Sequence, residues 1–233
     1  MSPPGATQAY TNTGYYLLGR VAAKLLGASS AVEACAINLF PPLDITRIRS
    51  ATDLITAQPP NEARYQATDL QLGQSQQTPD QPWVQSGYGD YDLAVAQGGG
   101  GLSAATTDLA RLVAILIDQN DNPVLTRNTI NQMLTFAVNV NAKNQRAGYG
   151  LDGAALNNNG SFYGQKGGLM ADAASVLQFN DQWGFVLCFG SPAQQDVQPP
   201  SPSWYPNFPA VMNVAKSVNW TEDLFPLYGM PSL

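Results

Sequence analysis

The hydrophobic period of this chain changes once, near residue 160. Ahead of that point apolar residues recur at three- and four-residue spacing. Beyond it they come in short strand-like runs such as Ser175-Val176-Leu177-Gln178-Phe179 and Trp183-Gly184-Phe185-Val186-Leu187-Cys188-Phe189. Helices and loops first, antiparallel strands afterwards, is the pattern of an α+β domain with helices packed on a mostly antiparallel sheet. A length of 233 residues suits one large domain or two small ones, and the single run of helices into strands favours one. The expectation is therefore one domain over 1–233, mainly helical or loop-like over 1–160, with sheet strands and a final helix over 161–233.

Local signals place the elements. Leu17, Leu18, Val21, Ala22 and Leu25 give a helix over 12–26, with Gly27 as its stop. A second helix over 31–39 ends at Pro41-Pro42. Residues 43–100, rich in Pro, Gln, Asp and Gly, read as long loops with short elements. Ser103 is placed to cap a helix carrying Leu109, Leu112, Val113, Leu116 and Ile117 on one stripe. The break at 120–123 precedes a helix from Thr126 to about Phe136, with Ile130, Met133 and Leu134 inward. The run 183–189 has the apolar density of a central strand, 199–209 reads as irregular, and 210–218 as a helix.

Charge and composition remove several function classes. Charged residues make up only 12% and the net charge is −6, which gives no basic footprint for nucleic acid. No apolar run approaches the ~20 residues of a membrane-spanning helix. There is no histidine, so Ser-His-Asp and Cys-His mechanisms and the common zinc sites drop out together. Acid–base chemistry falls to Tyr, Lys, Asp or Glu, and no cofactor or metal is called for. Cys35 and Cys188 form no metal-ligand spacing. Cys188 reads as a small buried hydrophobe and Cys35 as a helix residue of the same kind, while their pairing stays open. Asp108, Arg111 and Asp152 read as solvated or structural charges. The four glycines 98–101 lack the Lys-Ser/Thr of a phosphate loop and read as a cleft-edge turn.

Four segments, in order, carry a family resemblance. Pro4-Gly5 with Tyr10-Thr11-Asn12-Thr13-Gly14-Tyr15 and Leu18-Gly19 resembles the Tyr-x-Asn run of class C β-lactamases, DD-peptidases and related esterases. Leu39-Phe40-Pro41-Pro42-Leu43-Asp44-Ile45-Thr46 resembles the segment that follows it there. Gly99-Gly100-Gly101-Leu102-Ser103 with Asp108-Leu109-Ala110-Arg111-Leu112 resembles a third, and Lys166-Gly167-Gly168 the Lys-Thr-Gly or His-x-Gly element. A β-lactamase/transpeptidase-like fold is implied, together with acyl transfer on a small-molecule or peptide substrate (an ester, a D-amino-acid amide or a β-lactam).

By the same resemblance Tyr10 takes the role of proton shuttle. A phenol with an ordinary pKa of about 10 does this near neutrality only where cations favour its phenolate. Asn12 would bind the substrate amide, Lys166 would supply positive potential, and Gly168 would let the strand come close. The backbone N–H of Leu169 would form half of an oxyanion hole. Gln165 offers a one-residue alternative register, in which the cation is missing and Gly167 stands for Gly168. Without the matching segments, Tyr10 and Asn12 read as a turn and a helix cap.

One departure is decisive. The chemistry needs a serine followed three residues later by lysine, and no Ser-x-x-Lys or Thr-x-x-Lys exists in this chain. The expectation is a C-terminal portion of such a hydrolase, whose first strands and nucleophile helix would precede Met1. It would be inactive alone, or a non-catalytic binding module. Unpaired strand edges then favour self-association or a complex with an N-terminal segment. The family favours a periplasmic or secreted setting.

Overall fold

The computed structural model describes residues 11–64, 72–77, 80, 82–85, 87–118, 120–135, 138–139, 145–156, 160–169, 173–180, 183–189, 213–214, 217–218 and 222–232. In chain order these form α1 (Asn12–Leu25), α2 (Ala31–Asn38), β1 (Ile48–Ser50), β2 (Leu72–Gln74), β3 (Trp83–Gln85) and β4 (Leu102–Ala104). Then come α3 (Thr106–Ile117), α4 (Arg127–Leu134), β5 (Val138–Asn139), β6 (Gln145–Ala147) and β7 (Asp152–Leu156). β8 (Gly160–Leu169), β9 (Ala173–Phe179) and β10 (Gly184–Phe189) complete the strands. Short 3-10 turns lie at Pro41–Leu43 and Phe225–Tyr228.

The main sheet is antiparallel throughout, in the order β10-β9-β8-β7-β6-β5. It begins at Val138, ahead of residue 161 where the sequence pattern changes, because β5 to β7 are too short to show alternation. β10 lies at an edge of this sheet among the described residues, not in its centre. Its apolar density comes instead from packing against α3. Val113, Leu116, Ile130, Leu151 and Phe179 form the core between α3, α4 and the sheet. Leu112, Ile117, Met133 and Leu134 pack around it, so the stripes read on α3 and α4 do face inward.

Helix ends follow their caps. Thr126 caps α4, its hydroxyl accepting from the Thr129 amide, and Gly27 closes α1 at φ +70°. Ser103 does not cap α3. It lies in β4 opposite Arg49, and Ala105 occupies the N-cap without a side-chain bond. Two short strands in register outcompete a cap whose amide donors can turn to water. Cys188 is exposed on β10, contrary to the buried expectation, because an edge strand leaves part of its surface uncovered. Cys35 is half-buried in α2 and both thiols are free. The expected helix 210–218 and the irregular run 199–209 lie largely or wholly outside the described residues, as does Phe136.

A second core of Phe40, Leu43 and Ile45 sits beside α3. It is locked by charges that sequence alone left between solvated and structural. Asp108 is fully buried and accepts from the Thr46 amide at 3.0 Å, the Arg47 amide at 2.6 Å and Arg47 Nε at 3.0 Å. Arg111, 5% exposed, donates to Leu43 O at 2.8 Å, Pro231 O at 2.7 Å, Ser232 O at 3.3 Å and Asp44 Oδ2 at 3.2 Å. Its guanidinium also lies 5.5 Å from the centre of the Phe225 ring. Both are structural: one turn of α3 ties the 40–47 segment and the chain's last residues to the body.

Candidate functional site

Asn12 is the first residue of α1, and α1 is held by close backbone contact with the glycine run. Gly19 is buried, and a Cβ there would lie 2.9 Å from Gly98 Cα, 3.0 Å from Ala31 Cβ and 3.1 Å from Gln97 O. Gly98 has φ +103°, and a Cβ on it would run into the Tyr15 carbonyl oxygen. The Tyr16 hydroxyl lies 3.2 Å from that of Tyr91, on the segment leading into the same turn. The run 98–101 is thus a packing turn whose missing side chains let a loop touch a helix axis. It fixes the position of Asn12.

Thr11, and not Asn12, is the N-cap of α1, its hydroxyl accepting from the Thr13 amide at 3.2 Å. The capping alternative for Asn12 therefore falls away, and Asn12 lies exposed in the first turn of the helix. Tyr10 lies outside the described residues.

Lys166, Gly168 and Leu169 come together in the last four residues of β8. Lys166 pairs with Val176, Gly167 with Ser175, Gly168 with Ala174 and Leu169 with Ala173. The alternative Gln165 pairs with Leu177. The register is unbroken from Tyr163 to Leu169, so backbone groups at the end of this strand stand at fixed positions. Tyr163 anchors the strand, its ring 5.7 Å from that of Phe179.

The acidic residues near the glycine turn are structural. Asp53 accepts from the Leu93 amide at 2.8 Å, and Asp90 from the Gly87 amide at 2.8 Å. Burial raises the pKa of Asp53, the Leu93 amide opposes this, and the charge of Asp92 adds to the rise. Cavities of about 280 Å³ beside Arg20, Lys24 and Ser29, and about 200 Å³ beside Asn131 and Tyr163, do not have Asn12 in their described lining. Among the described residues no group of His, Cys, Asp or Glu has the arrangement of a metal site.

The antiparallel sheet with helices packed on it defines a β-lactamase/transpeptidase-like fold, as three solved structures bear out. A D-stereospecific amidohydrolase from a Streptomyces species is 22% identical at TM-score 0.58, with 81% of this chain and 52% of that chain covered. For a penicillin binding protein from Bacillus halodurans the figures are 20%, 0.62, 83% and 55%. For a class C beta-lactamase from Rhodobacter sphaeroides they are 12%, 0.56, 84% and 59%. This chain spans little more than half the length of these neighbours. A sequence model of the Beta-lactamase family matches residues 1–188, and the chain belongs to that family. No curated protein sequence matches it.

Sequence reasoning overlooked the Thr11 cap, although Thr is a favoured cap residue one position before Asn12. It also left open the Asp108–Arg111 lock. Two charges three residues apart within an apolar helix were the available signal, since burial requires such groups to be paired.

Proposed function

We propose that this chain contributes the proton-shuttle and substrate-binding part of a serine acyl-transfer site, and that it is inactive until a Ser-x-x-Lys segment joins it. The family match over residues 1–188 carries this reading. It spans Tyr10, Asn12 and Lys166–Leu169 in the family's order, in a chain without Ser-x-x-Lys.

In the completed site the serine hydroxyl attacks the carbonyl carbon while its proton passes to the Tyr10 phenolate. The Leu169 N–H donates to the oxyanion of the tetrahedral intermediate, and Asn12 donates to the substrate amide oxygen. Lys166 holds the phenolate charge and offers a partner for a substrate carboxylate. Tyr10 then returns the proton to the departing nitrogen or oxygen. The acyl-serine left behind is hydrolysed by water along the reverse proton path. The substrate is an ester, a D-amino-acid amide or peptide, or a β-lactam.

The test is incubation of the pure, mass-verified chain with a chromogenic cephalosporin and a p-nitrophenyl ester. No turnover is expected from the chain alone. Robust turnover overturns the claim of inactivity. In the completed protein, Tyr10→Phe should lower kcat/KM by about 10²-fold or more, the usual contribution of a positioned acid–base group.

A second reading, a binding module on the same scaffold, is favoured by the edge position of β10, whose Gly184–Phe189 backbone pairs on one side only among the described residues. Such an edge is a template for another strand. A monomer at high concentration in light scattering, with no change on adding other fold segments, counts against it.

A further inference from the structure

Helix α1 turns its small residues toward the rest of the chain and its large ones away. Gly19 and Ala23, the latter 4% exposed, are its buried positions. Leu17, Leu18, Val21 and Leu25 remain 60, 61, 54 and 80% exposed. At 100° per residue these four fall within an arc of about 100°, opposite Gly19 and Ala23. A surface helix ordinarily buries such a stripe. Contiguous exposed apolar surface of this kind marks an interaction site. Arg20 and Lys24 flank the arc on one side and have no ion-pair or hydrogen-bond partner among the described residues.

We infer that this face of α1 is a docking surface for a helix from the remaining portion of the fold, apolar on one face and acidic along one flank. The inference rests on the family reading above, and four observations select this occupant. The i, i+4 row of Leu17, Val21 and Leu25 is the ridge that fits the groove of another helix. The free cations beside it complement carboxylates. The solved neighbours have chains of which this one covers only 52 to 59%. Asn12 opens the same helix, on the side of Gly19 and Ala23, so an element packed on the stripe would hold the helix that carries Asn12 from its opposite face. The site and its missing nucleophile would thereby be joined through one helix–helix seam.

The test uses the 233-residue chain and, as probe, the polypeptide encoded immediately upstream of the Met1 codon, expressed separately. A one-to-one complex is expected in light scattering. Leu18→Asp with Leu25→Asp should weaken it by about tenfold or more, as loss of a central apolar anchor does. Arg20→Glu with Lys24→Glu should weaken it less, whereas Leu72→Asp, at an exposed leucine on β2, should leave it unchanged. All these positions are exposed, so circular dichroism should show every variant folded.

A complex indifferent to the Leu18 and Leu25 substitutions overturns the proposal, and so does an upstream frame that encodes no polypeptide. Two other outcomes also overturn it by naming another occupant. One is a homodimer of this chain abolished by those substitutions. The other is co-flotation of the chain with anionic phosphatidylserine vesicles that the substitutions abolish. Fluorescent penicillin, added to the same complex, separates the two claims. A stripe-dependent complex without covalent label removes the hydrolase reading and leaves the docking surface standing.

Discussion

Replacing Gly98 with alanine tests what holds α1, and with it Asn12, in place. The new Cβ would meet the Tyr15 carbonyl oxygen and lie 3.1 Å from Gly19 Cα, with backbone on the far side that cannot swing away as a side chain would. Overpacking of this kind costs about 1–3 kcal/mol. A φ of +103° adds strain for any residue with a Cβ, of a similar about 1–3 kcal/mol. The expected loss for Gly98→Ala is therefore about 2–6 kcal/mol. Gly19→Ala meets the same surface from the other side, 2.9 Å from Gly98 Cα. Against its overpacking stands about 1 kcal/mol gained from alanine's better helix propensity, so its net loss should be about 0–2 kcal/mol. Once either substitution has pushed α1 from the turn, the other has little left to disturb. The double variant should thus lose less than the sum of the two, by more than about 0.5 kcal/mol. Urea unfolding followed by circular dichroism gives all three values, and hydrogen exchange of the α1 amides shows whether the helix has come loose. A loss below about 0.5 kcal/mol for Gly98→Ala, or strict additivity, would refute the contact as the anchor of α1.

Three further outcomes follow from the packing and the titrating groups. Asp108→Ala leaves the Thr46 and Arg47 amides without their acceptor, and should lower stability by about 2–4 kcal/mol in urea unfolding, the scale of losing hydrogen bonds to a charged group; a loss under about 1 kcal/mol would contradict the lock. Burial and Asp92 raise the pKa of Asp53, so its favourable contribution is full below the ordinary carboxylate pKa and is lost as pH rises through the folded value. The difference in stability between wild type and Asp53→Asn should therefore change as pH rises above the ordinary carboxylate pKa of about 4, moving in favour of the variant's neutral amide, and a flat difference counts against the burial argument. Iodoacetamide should alkylate the exposed Cys188 well before the half-buried Cys35, whose thiol pKa is raised by burial; equal rates in the native state would contradict both placements.

How legible the chain was depended on whether the signal was local. The ends of α1 and α4 were readable because Gly27 and Thr126 act within a residue or two of the helix they bound. The stripe Val113, Leu116 was readable because the core that buries it is made of the same chain. Residue spacing failed where neighbours decide. Ser103 has the chemistry of a cap but is claimed by pairing with Arg49. The run 184–189 has the composition of a central strand, yet it packs on α3 and, among the described residues, pairs along one edge only. Spacing showed a stripe on α1 without showing that it points outward, since direction depends on what the glycine turn takes from the other side. The candidate site was legible only as residues in the family's order. The sequence had no means of fixing Asn12 in space, which rests on two glycines meeting backbone to backbone.

The central claim is that this chain holds part of a serine acyl-transfer site and not the nucleophile. Intact-mass spectrometry after incubation with benzylpenicillin tests it most directly, on the chain alone and on the chain completed by a Ser-x-x-Lys segment. The account predicts an unchanged mass for the chain alone. In the completed protein it predicts one added acyl group, on the serine of that segment, and slower acylation with Tyr10→Phe. A stoichiometric acyl adduct on a serine of the 233-residue chain alone would contradict it.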